Sequence, residues 1–223
     1  SLNCGAYTNV DKAETDKETA YLINSLGSKY LSQAVKEYGG NLIYLSSDYV
    51  FDGRKRIPYL PDSDKNPINF YGYTKSIGED FALDLLIDSS QITIIRTSWL
   101  IGKYGNNFLL KMINGINEKR ELKIISDQIG SPTYTKTLSY LCWETIFLKT
   151  FKNLKIPILH LSNKGEGSWY DLAECINKLG TEIGLFYNKT RINPIRSYEY
   201  VTAAKRPEYS VLNCESSLSY LSR

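Results

Sequence analysis

Imidazole is almost missing from this chain: its 223 residues include one histidine, His160, set in the apolar run "ILHL". A Ser-His-Asp triad or a histidine-ligated metal would have to be built on that residue, and a histidine in such a run reads first as core. Hydrolase and zinc-enzyme chemistry are largely removed, and no metal site is expected. The four cysteines, Cys4, Cys142, Cys175 and Cys214, include no C-x-x-C pair. They read as reduced thiols of a cytoplasmic protein, not as a disulfide framework. No apolar segment reaches the length of a membrane span, so neither a membrane partner nor a signal peptide is expected. Charge of one sign is also scarce. The net charge is +3 and no basic run exceeds "GRKR" near Arg54, which reads as solvated loop surface more readily than as a phosphate or nucleic-acid contact. No nucleic-acid partner is expected.

The remainder is ordinary globular composition, with 42% hydrophobic and 23% charged residues, enough to bury one large or two small cores. Apolar runs alternate with helical patterns. A strand end at "LNCGAY" leads to the long amphipathic helix "DKETAYLINSLGSKYLSQAVKEYG", stopped by Gly39 and Gly40. The buried strand "NLIYLSS" comes next, then the loop "DYVFDGRKRIPYLPDSDKNPIN" with its turn-forming Asp, Pro and Gly. After a helix through Tyr71 come strand "ITIIRTSWL", helix "NNFLLKMINGINEKR", strand "LKIISD" and loop "QIGSPTY". A helix to about Lys149, strand "PILHLSN" and helix "SWYDLAECINKLGTEIG" complete the pattern. Alternation of this kind predicts βαβ units and a parallel sheet covered on both faces, with the active site beyond the carboxyl ends of the strands. "CGAYT", "SSDYVF" and "TSWLIG" then converge on one crevice beside the Tyr71 helix.

In that helix, "NFYGYTKSIGE" puts Tyr71 four residues ahead of Lys75, one turn apart on one face. With 18 tyrosines, about one such pair is expected by chance, so its surroundings must carry the case. Reduction of a ketone needs a hydride carrier and a proton for the carbonyl oxygen. A phenol is protonated at neutral pH and can donate, a neighbouring ammonium eases that loss, and the Ser47 hydroxyl at a strand end can orient the carbonyl.

The stretches "NCGAYTNVDKAE", "SSDYVFDG", "NPINFYGYTKSIGE", "RTSWLIGKYGNNF", "DQIGSPTYT" and "AKRPEYSVLN", in this order, resemble the extended short-chain dehydrogenase/reductase family, and within it the dTDP-4-dehydrorhamnose reductases. The Tyr-x-x-x-Lys pair belongs to the whole superfamily; "SDYVFDG", "GNNF" and "DQIGSPT" together are specific to the branch. The resemblance implies an α/β, Rossmann-like doubly wound parallel sheet with a smaller C-terminal substrate lobe, divided as 1–130 and 131–223. It implies reduction of the 4-keto group of dTDP-6-deoxy-L-lyxo-4-hexulose to dTDP-L-rhamnose with NADPH or NADH. Tyr71 would be the proton donor, Lys75 its partner and ribose contact, and Ser47 the third triad member, where relatives usually carry threonine. Gly5, Ala6 and Thr8 would line the cofactor with Tyr71 and Lys75. Ser47, Tyr49, Trp99, Asn106, Asn107 and Arg206 would face the dTDP-sugar, and a homodimer is compatible with the pattern. Blander roles remain open: Tyr49 and Trp99 as core aromatics, Gly5 as a tight strand end, one of Asn106 and Asn107 as a helix cap, Arg206 as surface.

The family's Gly-x-x-Gly-x-x-Gly turn, which holds the cofactor pyrophosphate, is not in this sequence. "SLNCGAYT" matches the family about sixty residues into its fold, and after "SVLN" relatives continue with one more helix. The expectation is that this is part of a longer protein. Two alternatives stay open: a non-catalytic regulatory subunit on the same fold, like the methionine adenosyltransferase beta subunit, or another nucleotide-sugar epimerase or dehydratase.

Overall fold

The run Leu42–Ser47 is buried along almost its whole length, as is Ile92–Thr97, and strands buried on both faces belong in the middle of a parallel sheet. The computed structural model describes residues 1–88, 90–118, 121–153, 155–187 and 190–221. In chain order the strands are β1 (Leu2–Asn3), β2 (Leu42–Ser47), β3 (Ile92–Thr97), β4 (Leu100–Ile101), β5 (Glu121–Ile125), β6 (Ile129–Gly130), β7 (Thr133–Tyr134), β8 (Ile158–His160), β9 (Gly167–Ser168) and β10 (Arg191–Ile195). The helices are α1 (Val10–Ala13), α2 (Lys17–Tyr21), α3 (Gly27–Tyr38), α4 (Phe70–Leu86), α5 (Phe108–Glu118), α6 (Thr135–Phe151), α7 (Trp169–Glu182) and α8 (Glu215–Leu221).

The main sheet runs β1-β2-β3-β8, every pairing parallel. Side chains alternate across it. Leu42, Tyr44, Ile92 and Ile94 meet Val35 of α3 and Ala82 and Leu86 of α4 on one face. Ile43, Ile95 and Leu159 meet Leu138, Cys142 and Leu148 of α6 and Leu221 of α8 on the other. This is the doubly wound α/β arrangement that the alternating pattern implies. A second core forms where β5 pairs in parallel with β10 and is covered by α5 and α7, around Met112, Ile116, Leu122, Ile124, Ala173, Ile176 and Ile192. The two cores therefore draw on interleaved parts of the chain: residues 108–125 join the second core, and 138–161 return to the first.

Several elements depart from the sequence pattern. The single long helix is α2 and α3 joined through a π-helical stretch, Leu22–Leu26. That widened turn contains buried Asn24 and Ser25, which reach α4: Asn24 Nδ2 donates to Thr74 Oγ1 at 3.0 Å and Ser25 Oγ to the Thr74 carbonyl at 2.8 Å. A Cβ on Gly78 would lie 2.4 Å from the Asn24 carbonyl, so glycine is what lets the two segments approach so closely. The helix ends where Gly39 takes φ +80°. The strand "ITIIRTSWL" breaks after Thr97, because Trp99 has φ +44° and Leu100–Ile101 turns away to pair with β7. The final residues of the expected helix "NNFLLKMINGINEKR", 119–120, lie outside the described residues. α1, β10 and α8 had no clear periodic signal, being short or interrupted by Pro194; α8 places a helix just after "SVLN".

Candidate active site

Two strand ends, those of β2 and β3, meet α4. Ser47 closes β2 opposite Thr97 of β3, and its hydroxyl caps the 3-10 turn Asp48–Val50 by accepting from the Tyr49 amide at 3.2 Å. α4 starts at Asn69, whose Oδ1 accepts from the Gly72 amide at 2.8 Å and whose Nδ2 donates to the Lys205 carbonyl at 2.8 Å. That cap fixes the helix start and ties it to the segment carrying Arg206. A Cβ on Gly72 would fall 2.1 Å from the Tyr49 carbonyl, so the first turn of α4 lies directly against the Asp48–Val50 turn. Tyr71 and Tyr49 accordingly meet edge to face, centroids 5.9 Å apart.

The electrostatics follow from burial. Tyr71 is pushed up to about 12 by loss of water, while the Ser47 hydroxyl pulls it down and the Asp48 charge adds to the rise. Lys75, 1% exposed, is pulled down to about 7 by burial, with Glu79 opposing. Its ammonium donates to the Leu45 carbonyl at 2.7 Å and sits 4.1 Å from the Tyr44 ring centroid. Glu79, one turn further along α4, makes a forked pair with Arg96 of β3, Nε–Oε1 3.0 Å and Nη2–Oε2 2.8 Å. Burial raises the Glu79 carboxyl, but Arg96 more than reverses this and leaves it below its ordinary value. Arg96 Nη1 also donates to the Pro61 carbonyl at 2.9 Å and lies 3.3 Å from His160 Nε2. His160 Nδ1 lies 3.0 Å from the Tyr59 carbonyl, so the neutral Nδ1–H tautomer satisfies both contacts. Burial and Arg96 hold its pKa down to about 3. The lone histidine is a bonded core residue, as the sequence favours.

On the other side of Tyr49, a cleft of about 500 Å3 is lined by Asn106, Phe108, Lys111, Trp169 and Arg206 among others. Arg206 and Asp11 of α1 form a forked pair, Nη2–Oδ2 2.6 Å and Nη1–Oδ1 3.2 Å. Asn106 is exposed at the rim. Asn107 is the helix cap: its Oδ1 accepts from the Leu110 amide at 3.2 Å and its Nδ2 donates to the Gly102 carbonyl at 2.9 Å. Trp99 stands behind the wall, stacked on Trp169 with centroids 3.4 Å apart and planes 7° off parallel. Gly130 of "DQIGSPT" sits beneath it, where a Cβ would be 2.5 Å from the indole. The sequence reading missed Trp169, Lys111 and Asp11. Trp169 begins a helix with a capping box on Ser168 and Asp171, and that signal reads as helix start alone.

The remaining expected residues, Gly5, Ala6 and Thr8, follow β1. Gly5 and Thr8 are exposed and Ala6 half-buried, and Asn24 Oδ1 accepts from the Tyr7 amide at 2.8 Å to fix the strip. The donor set fits the ribose-nicotinamide end of a dinucleotide. Lys75 has three N–H donors, of which the Leu45 carbonyl takes one, and the strip of small residues after β1 is exposed at Gly5 and Thr8.

A family model described as "RmlD substrate binding domain" matches residues 2–221. The chain is 39% identical over 212 residues to the spore coat polysaccharide biosynthesis protein SpsK of Bacillus subtilis, covering 95% of this chain and 70% of that protein. It is 36% identical over 217 residues to a dTDP-4-dehydrorhamnose reductase of Sinorhizobium fredii, covering 96% and 71%. Among solved structures, a dTDP-4-dehydrorhamnose reductase of Bacillus anthracis in complex with NADP superposes with a TM-score of 0.87 at 36% identity, covering 96% of this chain and 72% of that one.

Proposed function

The chain belongs to the RmlD substrate-binding-domain family, and from that membership we propose that it reduces the 4-keto group of a dTDP-6-deoxy-hexulose, yielding dTDP-L-rhamnose. The carrying observation is the placement of Tyr71 one turn ahead of the buried Lys75 on α4, with the first turn of that helix packed against the turn that Ser47 caps. NADPH or NADH supplies the hydride when bound, with Lys75 and the Gly5–Thr8 strip holding its nicotinamide-ribose end.

The chain's own residues do the rest. Tyr71 gives its proton to the carbonyl oxygen as charge develops there. Lys75 stabilises the phenolate left behind, acting with reduced screening because its own ammonium is out of water. Ser47 and Tyr49 hold the sugar against α4. Trp169, braced by Trp99, offers a flat apolar wall, and Arg206, Lys111 and Asn106 face the nucleotide diphosphate; an arginine fork suits two phosphate oxygens. We assign the cofactor half to the main sheet and the substrate lobe to the second core with its flanking loops. The cytoplasm is the proposed compartment, where the reduced cofactor and nucleotide sugar are available.

The test is reduced-nicotinamide consumption with the L-lyxo and D-xylo forms of the dTDP-4-keto-6-deoxy sugar. Turnover with the L-lyxo form and dTDP-L-rhamnose as product is expected. Ligand-dependent stimulation of another enzyme without turnover would replace this reading with the regulatory-subunit one.

A further inference from the structure

A hydroxyl has one proton to give, and Ser47 directs it at its neighbour: Oγ donates to Asp48 Oδ1 at 3.0 Å. The same oxygen accepts from the Tyr49 amide, and its hydroxyl is the group that pulls the Tyr71 phenol down. While Asp48 is a carboxylate, Ser47 has no proton left for a carbonyl oxygen or for a phenolate. The structure, however, is a poor host for that carboxylate. Asp48 is 2% exposed, and its Oδ2 has no hydrogen-bond partner of ordinary length. Among the described residues, the groups facing it are the Ser47 hydroxyl from β2, Tyr71 from α4, Ser210 from the segment after Arg206, and Tyr49 on its own turn. The Arg206–Asp11 pair lies beyond Tyr49 and is already neutralised. Burying a charge with no cation beside it and one oxygen unpaired is costly, and the neutral acid avoids that cost.

The geometry points to Asp48 as the positioning acid of the triad: a neutral carboxyl that donates to Ser47 Oγ and thereby turns the Ser47 proton toward Tyr71 and the sugar carbonyl. The proton path then closes. Tyr71 protonates the carbonyl oxygen as hydride from the reduced nicotinamide adds to carbon, so C=O becomes CH–OH. The phenolate takes the Ser47 proton, Ser47 takes the Asp48 proton, and Asp48 is left as carboxylate until water reprotonates it. Its ordinary acidity is shifted in the required direction: burial pushes it up to about 6, against the Ser210 and Ser47 hydroxyls and nearby amides. Substrate filling the cleft removes more water and moves it further the same way.

The reaction part of this inference rests on the reductase reading, whereas the ionisation part does not, and the experiment separates them. Infrared difference spectra of the protein labelled with 13C-aspartate, without cofactor or sugar, should show a buried protonated carboxyl lost as pH rises through about 6. This measurement needs no variant. In the keto-sugar assay, wild-type kcat/KM should fall through the same pH. Asp48→Ala should lose about 10²-fold below pH 6, with the gap to wild type narrowing as the wild-type carboxyl ionises. Asp48→Asn, whose amide can orient Ser47 but cannot pass on a proton, should recover only the part of that loss that comes from positioning Ser47. Its decline should move up to the limb that Lys75 sets at about 7. A carboxyl band already gone well below pH 6, or an Asp48→Asn protein with the wild-type pH profile, overturns the proposal. A carboxyl titrating as expected in a protein with no turnover supports the neutral acid and overturns the reductase reading instead.

Discussion

The two walls of the cleft are built on opposite principles. The α4 wall is a dry electrostatic device: Lys75, Glu79, Arg96 and His160 are buried between helix and sheet with partners at fixed distance, and Tyr71 stands half-buried at its edge. The facing wall is wet and aromatic. Trp169 on Trp99, with Lys111, Asn106 and Arg206 at the rim, presents surfaces that a ligand can complete. The first wall sets proton affinities by burial, so small changes there alter chemistry. The second sets affinity through stacking and charge, so changes there alter binding.

That contrast can be broken by mutation. The largest effect is expected at the dry wall. Tyr71→Phe should cut kcat by about 10²–10⁴-fold while thermal unfolding stays near wild type, because a half-buried phenol loses only its hydroxyl. Glu79→Ala should destabilise by about 3–5 kcal/mol, read by urea unfolding, since it strands the buried Arg96 guanidinium. The sign with pH follows from Arg96 holding the Glu79 carboxyl below its ordinary 4.5. The pair's contribution is complete above pH 4.5 and is lost as pH falls through the lower folded value. In Glu79→Gln that part of the acid sensitivity should vanish. Trp169→Ala at the wet wall should raise KM about tenfold with kcat changed little, since an aromatic pair contributes about 0.5–1.5 kcal/mol beyond its buried area. Arg206→Lys should have the smallest effect, a rise in KM of a few-fold that grows with added salt, because a point charge replaces a fork but remains a cation. A kcat loss at Trp169 comparable to that at Tyr71 would erase the distinction between the walls.

The dry wall was the legible one. Tyr71, Lys75 and Ser47 sit in short contiguous stretches whose spacing already encodes one helix face and one strand end, and the parallel sheet follows from the alternation of buried runs. The charged cluster beneath was not legible, because Glu79, Arg96 and His160 meet only when α4, β3 and β8 are side by side. The wet wall was half read. Asn106 and Arg206 reach the cleft. Trp99 instead braces a second indole seventy residues away, and no local pattern announces a stack of that separation. Asn107 lines the cleft and also caps α5, the role that its place before that helix equally allows. The π-helical stretch in the long helix was hidden for a similar reason: its cause, Asn24 and Ser25 reaching Thr74, lies fifty residues along the chain.

The most direct measurement of the central claim is transfer of deuterium from a deuterated reduced nicotinamide to the dTDP-4-keto sugar, followed by NMR in wild type and Tyr71→Phe side by side. The account predicts deuterium at C4 of a rhamnose product in the wild type, and loss of that product in Tyr71→Phe with folding unchanged. Deuterium incorporated equally by both proteins would contradict it.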